Sequence, residues 1–127
     1  ARVAPDSLEF ANTVESIKKG AVKKQFGLVN TTLGVVATNA KFNKKEITKV
    51  AQIAQGGLIK TINPVHTTFD GDLVFALATG VYEADINLVG VLGEFVIAEA
   101  IKRAVKKADG FGIVPAFRDI TKGWKTT

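Results

Sequence analysis

The fold of this chain is decided by residues 28–38, which read LVNTTLGVVAT. Small, apolar and β-branched residues fill positions 33–38, a composition typical of a strand in a sheet that is covered on both faces. We therefore predict a buried strand there, with Thr31 and Thr32 at its entrance. A hydroxyl at that point is held rigidly and is still accessible to solvent, which makes Thr31 a candidate nucleophile. The alternative interpretation is that the paired threonines serve only as strand formers.

The composition describes a single globular domain. The chain has 127 residues, of which 46% are hydrophobic and 23% charged, and a chain of this size buries about two-thirds of its unfolded surface. No apolar run approaches the length of a membrane span. Cysteine is absent, which excludes disulfides and thiolate metal sites and leaves the cytoplasm as the expected compartment. Because the first residue is Ala1 and no signal-like segment follows, we expect a processed or partial chain.

The formal net charge is +5, which raises the question of nucleic acid or anionic membranes as partners. The cations occur in small sets that are not interleaved with aromatic residues, as a binder of single strands would require. These sets are Lys18, Lys19, Lys23 and Lys24; Lys44, Lys45 and Lys49; and Lys102, Arg103, Lys106 and Lys107. We therefore expect neither a nucleic acid nor a membrane partner.

A capped helix is predicted after the first strand. Asn43 and Glu46 have the spacing of a capping box, and apolar residues at helical spacing follow them over about 44–62. Gly56 and Gly57 interrupt this pattern. Two adjacent glycines destabilise a helix, so they indicate either close packing against a neighbour or a break near the helix end.

The rest of the chain continues the alternation of strands and helices. Residues 1–30 carry one short amphipathic helix followed by an exposed connection. A second apolar run predicts a strand over 73–79, and Asn87 is the expected cap of a long helix that ends before Gly110. A short strand over 113–117 is expected last. This order predicts an α/β or α+β fold with helices packed on a largely buried sheet.

Three stretches carry a resemblance to a known family. They are residues 30–40, 63–80 and 115–119, and the most specific part is HTTFDGD at 66–72, which no common structural need dictates. The chain resembles the C-terminal part of the L-aminopeptidase/D-esterase family, self-processing hydrolases that include β-aminopeptidases and the endo-type nylon-oligomer hydrolase. The resemblance covers most of residues 28–119.

The resemblance implies a layered α-β-β-α sandwich, like that of N-terminal nucleophile hydrolases, whose sheet is completed by an upstream segment absent from this chain. Residues 1–30 would then be the tail of the upstream α part, and residues 31–127 the nucleophile-bearing β part. The resemblance also implies a homo-oligomer of α/β heterodimers. Its expected substrates are linear amides such as nylon oligomers, or the N-terminal residues of small peptides.

The resemblance also implies specific site residues. In this family the precursor cuts itself before a Ser or Thr that becomes the new N-terminus and the nucleophile, and the matching bond here joins Asn30 to Thr31. Asp70 and Asp72 match the family's paired acidic residues. The family's catalytic Lys and Asn lie upstream of the cleavage site, so no residue of this chain is assigned to those roles. A Thr preceded by Asn resembles the nylon-oligomer hydrolase branch more than the Gly-Ser pattern of the aminopeptidases.

Elementary chemistry agrees with these roles. A threonine hydroxyl needs a base, and an N-terminal amine with a pKa of about 7.7–8 supplies one near neutral pH. In an extended segment, Asp70 and Asp72 would point the same way and would orient the ammonium group or relay its proton. Their alternative interpretation is a turn, because Asp-Gly is a strong hairpin signal.

Other candidate residues give weaker signals. His66, the only histidine, is interpreted as a hydrogen-bonding loop residue rather than a catalyst. The two aspartates have no His or Cys partners nearby in sequence, so we expect neither a metal nor another cofactor. The sequence therefore predicts an amide hydrolase dependent on Thr31. The alternative is a non-catalytic oligomeric relative that serves in binding or assembly.

Overall fold

The computed structural model describes residues 12–20, 31–111 and 113–121. In chain order its elements are α1 (Thr13–Lys18), β1 (Leu33–Ala40), α2 (Lys44–Ala54), α3 (Gly56–Ile59), β2 (Leu73–Tyr82), α4 (Ile86–Lys107) and α5 (Phe117–Thr121). The fold is therefore mixed α and β, as predicted.

Strands β1 and β2 form a parallel two-stranded sheet. The register pairs Leu33 with Leu73 and stays regular until Thr38 pairs with Ala78. Both predicted strands are confirmed, and each continues beyond its predicted end. Parallel neighbours need a crossover connection, which α2 and α3 provide on one face of the sheet.

The predicted capping box at the start of α2 is confirmed. The Asn43 side chain accepts hydrogen bonds from the backbone N–H groups of Lys45 and Glu46, at 2.9 and 3.1 Å. In return, the backbone N–H of Asn43 donates to the Glu46 carboxylate at 2.8 Å. The exchange satisfies N–H groups that have no partner inside the helix.

Both structural features that the sequence allowed for the paired glycines, a break in the helix and close packing against a neighbour, are present. The predicted helix over 44–62 is divided by a turn at Gln55 into α2 and α3, and α3 packs closely on α4. A Cβ atom added at Gly57 would lie only 2.6 Å from the carbonyl oxygen of Glu94. The glycine therefore lets the two backbones approach more closely than any other residue would.

The hydrophobic core lies between the helices and one face of the sheet. Its buried members are Val36, Val50, Ala54, Leu58, Val74 and Ile97. The opposite face of the sheet is apolar but exposed in the described chain. Its large side chains are Leu33, Val35, Leu73, Phe75 and Leu77. The expectation that both faces are covered is therefore met on one face only, and the second β layer of the sandwich stays a prediction.

The start of α4 corrects the predicted cap. Asp85, not Asn87, is the N-cap residue, and its carboxylate accepts hydrogen bonds from the N–H groups of Asn87 and Leu88 at 2.8 and 2.9 Å. Asn87 already lies inside the first turn. The positive end of the helix dipole also stabilises the negative charge of Asp85 at this position.

The predicted strand over 113–117 is wrong, because the segment after α4 folds back into α5. The Asp119 carboxylate accepts a hydrogen bond from the N–H of Ala116 at 2.9 Å, and Arg118 forms an ion pair with Asp109 near the end of α4. The Arg118 guanidinium and, to a smaller extent, the Phe111 N–H hold the pKa of Asp109 below its ordinary value. These local bonds favour a turn and a helical start over an extended strand.

Part of the predicted N-terminal structure lies outside the described residues. Helix α1 is capped by Asn12, whose side chain accepts from the N–H of Glu15 at 3.1 Å. Residues 1–11 and the connection at 21–30, including Asn30, are not among those described. Within the described chain, no helix combines the length and apolarity needed to cross a membrane. The cytoplasmic location stays a prediction.

Candidate active site

The candidate site lies where the two parallel strands begin. Because the register places Leu33 beside Leu73, the residues before each strand also lie side by side. The backbone N–H of Thr32 donates to the Asp72 carboxylate at 2.8 Å, and the N–H of Leu73 donates to the carbonyl of Thr32 at 3.0 Å. The fold thus joins two motifs that are far apart in sequence.

Thr31 lies at the exposed end of this arrangement, with its hydroxyl next to Gly71. A Cβ atom added at Gly71 would lie 2.7 Å from Thr31 Oγ1, tighter than ordinary van der Waals contact. The glycine between the two aspartates therefore leaves the space that the Thr31 hydroxyl occupies. The side chain of Thr31 is exposed, so this hydroxyl is accessible from solvent.

The two aspartates hold different partners. One carboxylate oxygen of Asp70 accepts from both the N–H and the hydroxyl of Thr67, at 2.9 and 2.6 Å, whereas Asp72 binds the N–H of Thr32. The two carboxylates therefore share no hydrogen-bond partner, and their expected action on the Thr31 amine stays a prediction. Both side chains are half-buried.

The turn interpretation is met in part. The N–H of Asp70 donates to the carbonyl of Thr67 at 3.1 Å, so a turn does precede β2. It is not a hairpin turn, because β2 pairs in parallel with β1. The same turn places His66 in an exposed, left-handed conformation with φ 57°, and the bonds that close it involve Thr67 and Asp70 instead.

An apolar cavity of about 650 Å³ adjoins the strand entrance. Its polar rim includes Thr32, Thr61 and Asn63, and its apolar wall includes Ile97 and Ile101 of α4. Sequence reasoning did not assign Thr61 or Asn63 to the site. Asn63 belongs to one of the three resembling stretches, but its sequence pattern indicates only the end of a helix.

The described residues contain no group of three or more His, Cys, Asp or Glu side chains arranged to hold a metal ion. What this geometry does offer is an exposed hydroxyl, a carboxylate hydrogen-bonded to the neighbouring amide, and an apolar cavity beside them. A hydroxyl in this setting is suited to nucleophilic attack once a base is available.

Comparison with known proteins assigns the chain to a class of peptidases. Residues 6–112 match the sequence profile of peptidase family S58, and the chain belongs to that family. The predicted resemblance is thereby confirmed.

Named relatives agree with this assignment. The chain is 38% identical over 111 residues to an uncharacterized aminopeptidase of Mycobacterium leprae, a match that covers 76% of this chain and 31% of that protein. An uncharacterized aminopeptidase of Mycobacterium tuberculosis is 33% identical over 109 residues, covering 74% and 32%. The 6-aminohexanoate-oligomer endohydrolase of Paenarthrobacter ureafaciens is 34% identical over 50 residues, covering 39% and 14%.

The chain spans about a third of the length of the aminopeptidase relatives it matches. No solved structure gives a significant match.

Proposed function

We propose that this chain is the nucleophile-bearing part of a self-processing amide and peptide hydrolase, with Thr31 as the nucleophile. The observation that supports this most directly is the strand entrance, where the Thr31 hydroxyl lies against Gly71 and Asp72 binds the adjoining amide. Membership of peptidase family S58 supports hydrolysis of peptide bonds. The names of the relatives support N-terminal residues of peptides or linear amides such as 6-aminohexanoate oligomers as substrates.

Self-processing begins with attack of Thr31 Oγ1 on the carbonyl carbon of Asn30. The C–N bond between the two residues breaks, the nitrogen takes the hydroxyl proton, and the Asn30 acyl group is held as an ester on Thr31. Water then opens the ester, releasing Asn30 as a carboxylate and restoring the hydroxyl. The new amine of Thr31 is a base that did not exist in the precursor.

Turnover of a substrate repeats the same chemistry. The Thr31 hydroxyl attacks the substrate amide, and its own amine accepts the proton and passes it to the leaving nitrogen. Water hydrolyses the resulting ester. Because the amine must be neutral to act as the base, activity rises with pH as the amine loses its proton. The ordinary pKa of such an amine is about 7.7–8, and a nearby carboxylate moves the rise in activity to higher pH.

The two aspartates have separate roles in this proposal. Asp72 places a negative charge one residue from the Thr31 amine, where it orients the amine and stabilises the ammonium group that forms when the amine takes the hydroxyl proton. Asp70 is fixed by two bonds from Thr67 at 2.9 and 2.6 Å, so the loop that presents Gly71 and Asp72 keeps its shape. Thr67 is thus a positioning residue.

The remaining catalytic groups come from an upstream part of the protein. That part supplies the oxyanion donors together with the family's Lys and Asn, and its strands cover the exposed sheet face formed by Leu33, Val35, Leu73, Phe75 and Leu77. Residues 1–30 are its tail and residues 31–127 form the nucleophile-bearing part. The resulting α/β heterodimers assemble into a homo-oligomer.

Intact-mass measurement of the freshly purified full-length protein tests the proposal. The expected result is two polypeptides, one ending at Asn30 and one beginning at Thr31, together with release of amine from a linear amide. A single unbroken chain that has no amidase activity would overturn it and favour the non-catalytic alternative.

A further inference from the structure

The apolar cavity beside the strand entrance has no part in the chemistry described so far. Its volume of about 650 Å³ lies within the range of about 300–1,000 Å³ that is typical of small-molecule sites. None of the described residues that line it is charged. Burial of a charge without a partner is costly, so the cavity suits the uncharged, apolar part of a ligand.

The polar residues of the cavity lie at its rim. Among the described residues that line it, only Thr32, Thr61 and Asn63 are polar; Asn63 is exposed and the two threonines are half-buried. Leu58 and Ile97 form the inner wall and are only 0% and 4% exposed. The cavity thus runs from a polar rim beside the strand entrance to an apolar interior, an arrangement typical of binding pockets.

The proposed chemistry decides which part of a substrate faces this cavity. The amine of Thr31 must lie beside the leaving nitrogen, because it returns the proton to that atom. Thr32 follows the carbonyl group of Thr31, so the cavity that Thr32 lines adjoins the side of Thr31 that is remote from its amine. The acyl part, which stays attached to the Thr31 hydroxyl in the ester, therefore extends toward the cavity.

We propose that this cavity binds the acyl part of the substrate and selects an uncharged aliphatic chain there. The inference rests on the proposed function, since it requires Thr31 as the nucleophile. Transfer of one methylene group from water into an apolar pocket strengthens binding about fourfold. Ala100 of α4 is a small residue in the cavity wall, and its size leaves room for the chain.

A series of 4-nitroanilides tests the proposal on the full-length protein. The acetyl, hexanoyl and 6-aminohexanoyl anilides share one scissile bond and differ only in the acyl part. We expect kcat/KM to be at least about tenfold higher for hexanoyl than for acetyl, because four more methylene groups are buried. It should be at least about tenfold lower for 6-aminohexanoyl than for hexanoyl, because the cavity offers the terminal ammonium no partner.

The glycyl, norleucyl and lysyl anilides repeat the comparison with an α-amine on every substrate. Norleucine adds a butyl chain to glycine, and lysine adds a charge at the end of that chain. We expect the same order, with norleucyl the best of the three. Equal kcat/KM across the series that is hydrolysed would overturn the proposal.

Ala100→Phe places the specificity in this cavity, because the larger side chain would fill part of it. The ratio of kcat/KM between the long-chain and the short-chain substrate should fall at least about fivefold, since fewer methylene groups would be buried. This ratio does not depend on how much of the protein is folded. Ala108→Phe is the matched control, the same change at the end of the same helix and outside the cavity lining, and it should keep the ratio of the unsubstituted protein.

Two kinds of failure are distinguishable in these measurements. Self-cleavage and hydrolysis without an effect of chain length, or an unchanged ratio in Ala100→Phe, would overturn the assignment of the cavity and leave Thr31 as the nucleophile. Absence of both self-cleavage and hydrolysis in the unsubstituted protein would overturn the proposed function, and the assignment of the cavity with it.

Discussion

The backbone N–H of Thr32 donates a 2.8 Å hydrogen bond to the carboxylate of Asp72, 40 residues further along the chain. This bond joins the entrance of β1 to the entrance of β2. It acts on the residue next to the proposed nucleophile, so it fixes where Thr31 stands without occupying its hydroxyl. A negative charge is thereby held beside the position where the Thr31 amine would form.

Thr31→Ala should abolish both cleavage after Asn30 and amide hydrolysis, because the attacking hydroxyl is gone. Thr32→Ala is the control, since the bonds of Thr32 to Asp72 and Leu73 use its backbone; cleavage should remain largely intact. Gel electrophoresis and intact mass distinguish the two variants. If the Thr31→Ala protein still splits at the same bond, the nucleophile has been misassigned.

Asp72→Asn should cut turnover at least tenfold, which corresponds to about 1.4 kcal/mol of transition-state stabilisation. The asparagine carbonyl can still accept from the Thr32 N–H, so the substitution removes the negative charge and keeps this hydrogen bond. Asp70→Asn should have an effect of similar size by weakening the bonds from Thr67. Steady-state kinetics on the folded variants measure both, and unchanged turnover in both would reduce the motif to a structural turn.

Gly71→Ala should slow self-cleavage, because the added methyl group would lie 2.7 Å from Thr31 Oγ1 and displace it. Displacement of a reacting group by about 1 Å is enough to cost roughly 100-fold in rate. Thr68→Ala, in an exposed position of the same loop, is the control and should cleave normally. The rates follow from a time course of intact mass after synthesis. Equal rates for the two variants would contradict the placement of the hydroxyl.

Residues 1–127 made alone should not hydrolyse amides, although the full-length protein should. The described chain forms only a two-stranded sheet with one exposed apolar face, and sheets of this size rarely stand alone. Mixing in the separately made upstream segment and assaying a linear amide should restore activity. Full activity of the 127 residues alone would show that every catalytic group is already present.

Gly57→Ala should lower the free energy of unfolding by about 1–3 kcal/mol, the usual cost of forcing extra atoms into a packed interface. The new methyl group would meet the carbonyl oxygen of Glu94, which is backbone and cannot rotate away. Gln52→Ala on the exposed side of α2 is the control and should change stability little. Chemical denaturation of the full-length protein measures both. A neutral Gly57→Ala would show that α3 and α4 have room to separate.

The strands and the cap of α2 could be predicted from sequence because their signals are local. Apolar and β-branched runs mark β1 and β2, and Asn43 and Glu46 satisfy the helix start within four residues. The strand over 113–117 was wrong because an apolar run does not reveal the polar bonds that fold the segment back. These bonds join Asp119 to the N–H of Ala116 and Arg118 to Asp109, and they involve residues at or beyond the edges of the apolar run.

The candidate site, too, could be predicted from sequence only in part. Sequence indicated Thr31, Asp70 and Asp72, but it gave no sign that the two carboxylates would hold different partners. It also left out Asn63, which reaches the cavity beside Thr32 only because α3 returns toward the start of β1. Such placements depend on the crossover between parallel strands and not on neighbours in sequence.

Both backbone groups of Thr32 are engaged, its N–H with Asp72 and its carbonyl with the N–H of Leu73. Chain ends usually fray, and the proposed cleavage would make Thr31 a chain end. Clamping at the second residue confines that fraying to one residue. A new terminus created here would retain little more freedom than its own backbone and side-chain rotations. The enzyme would then gain a free amine while the Thr31 hydroxyl keeps its position and orientation.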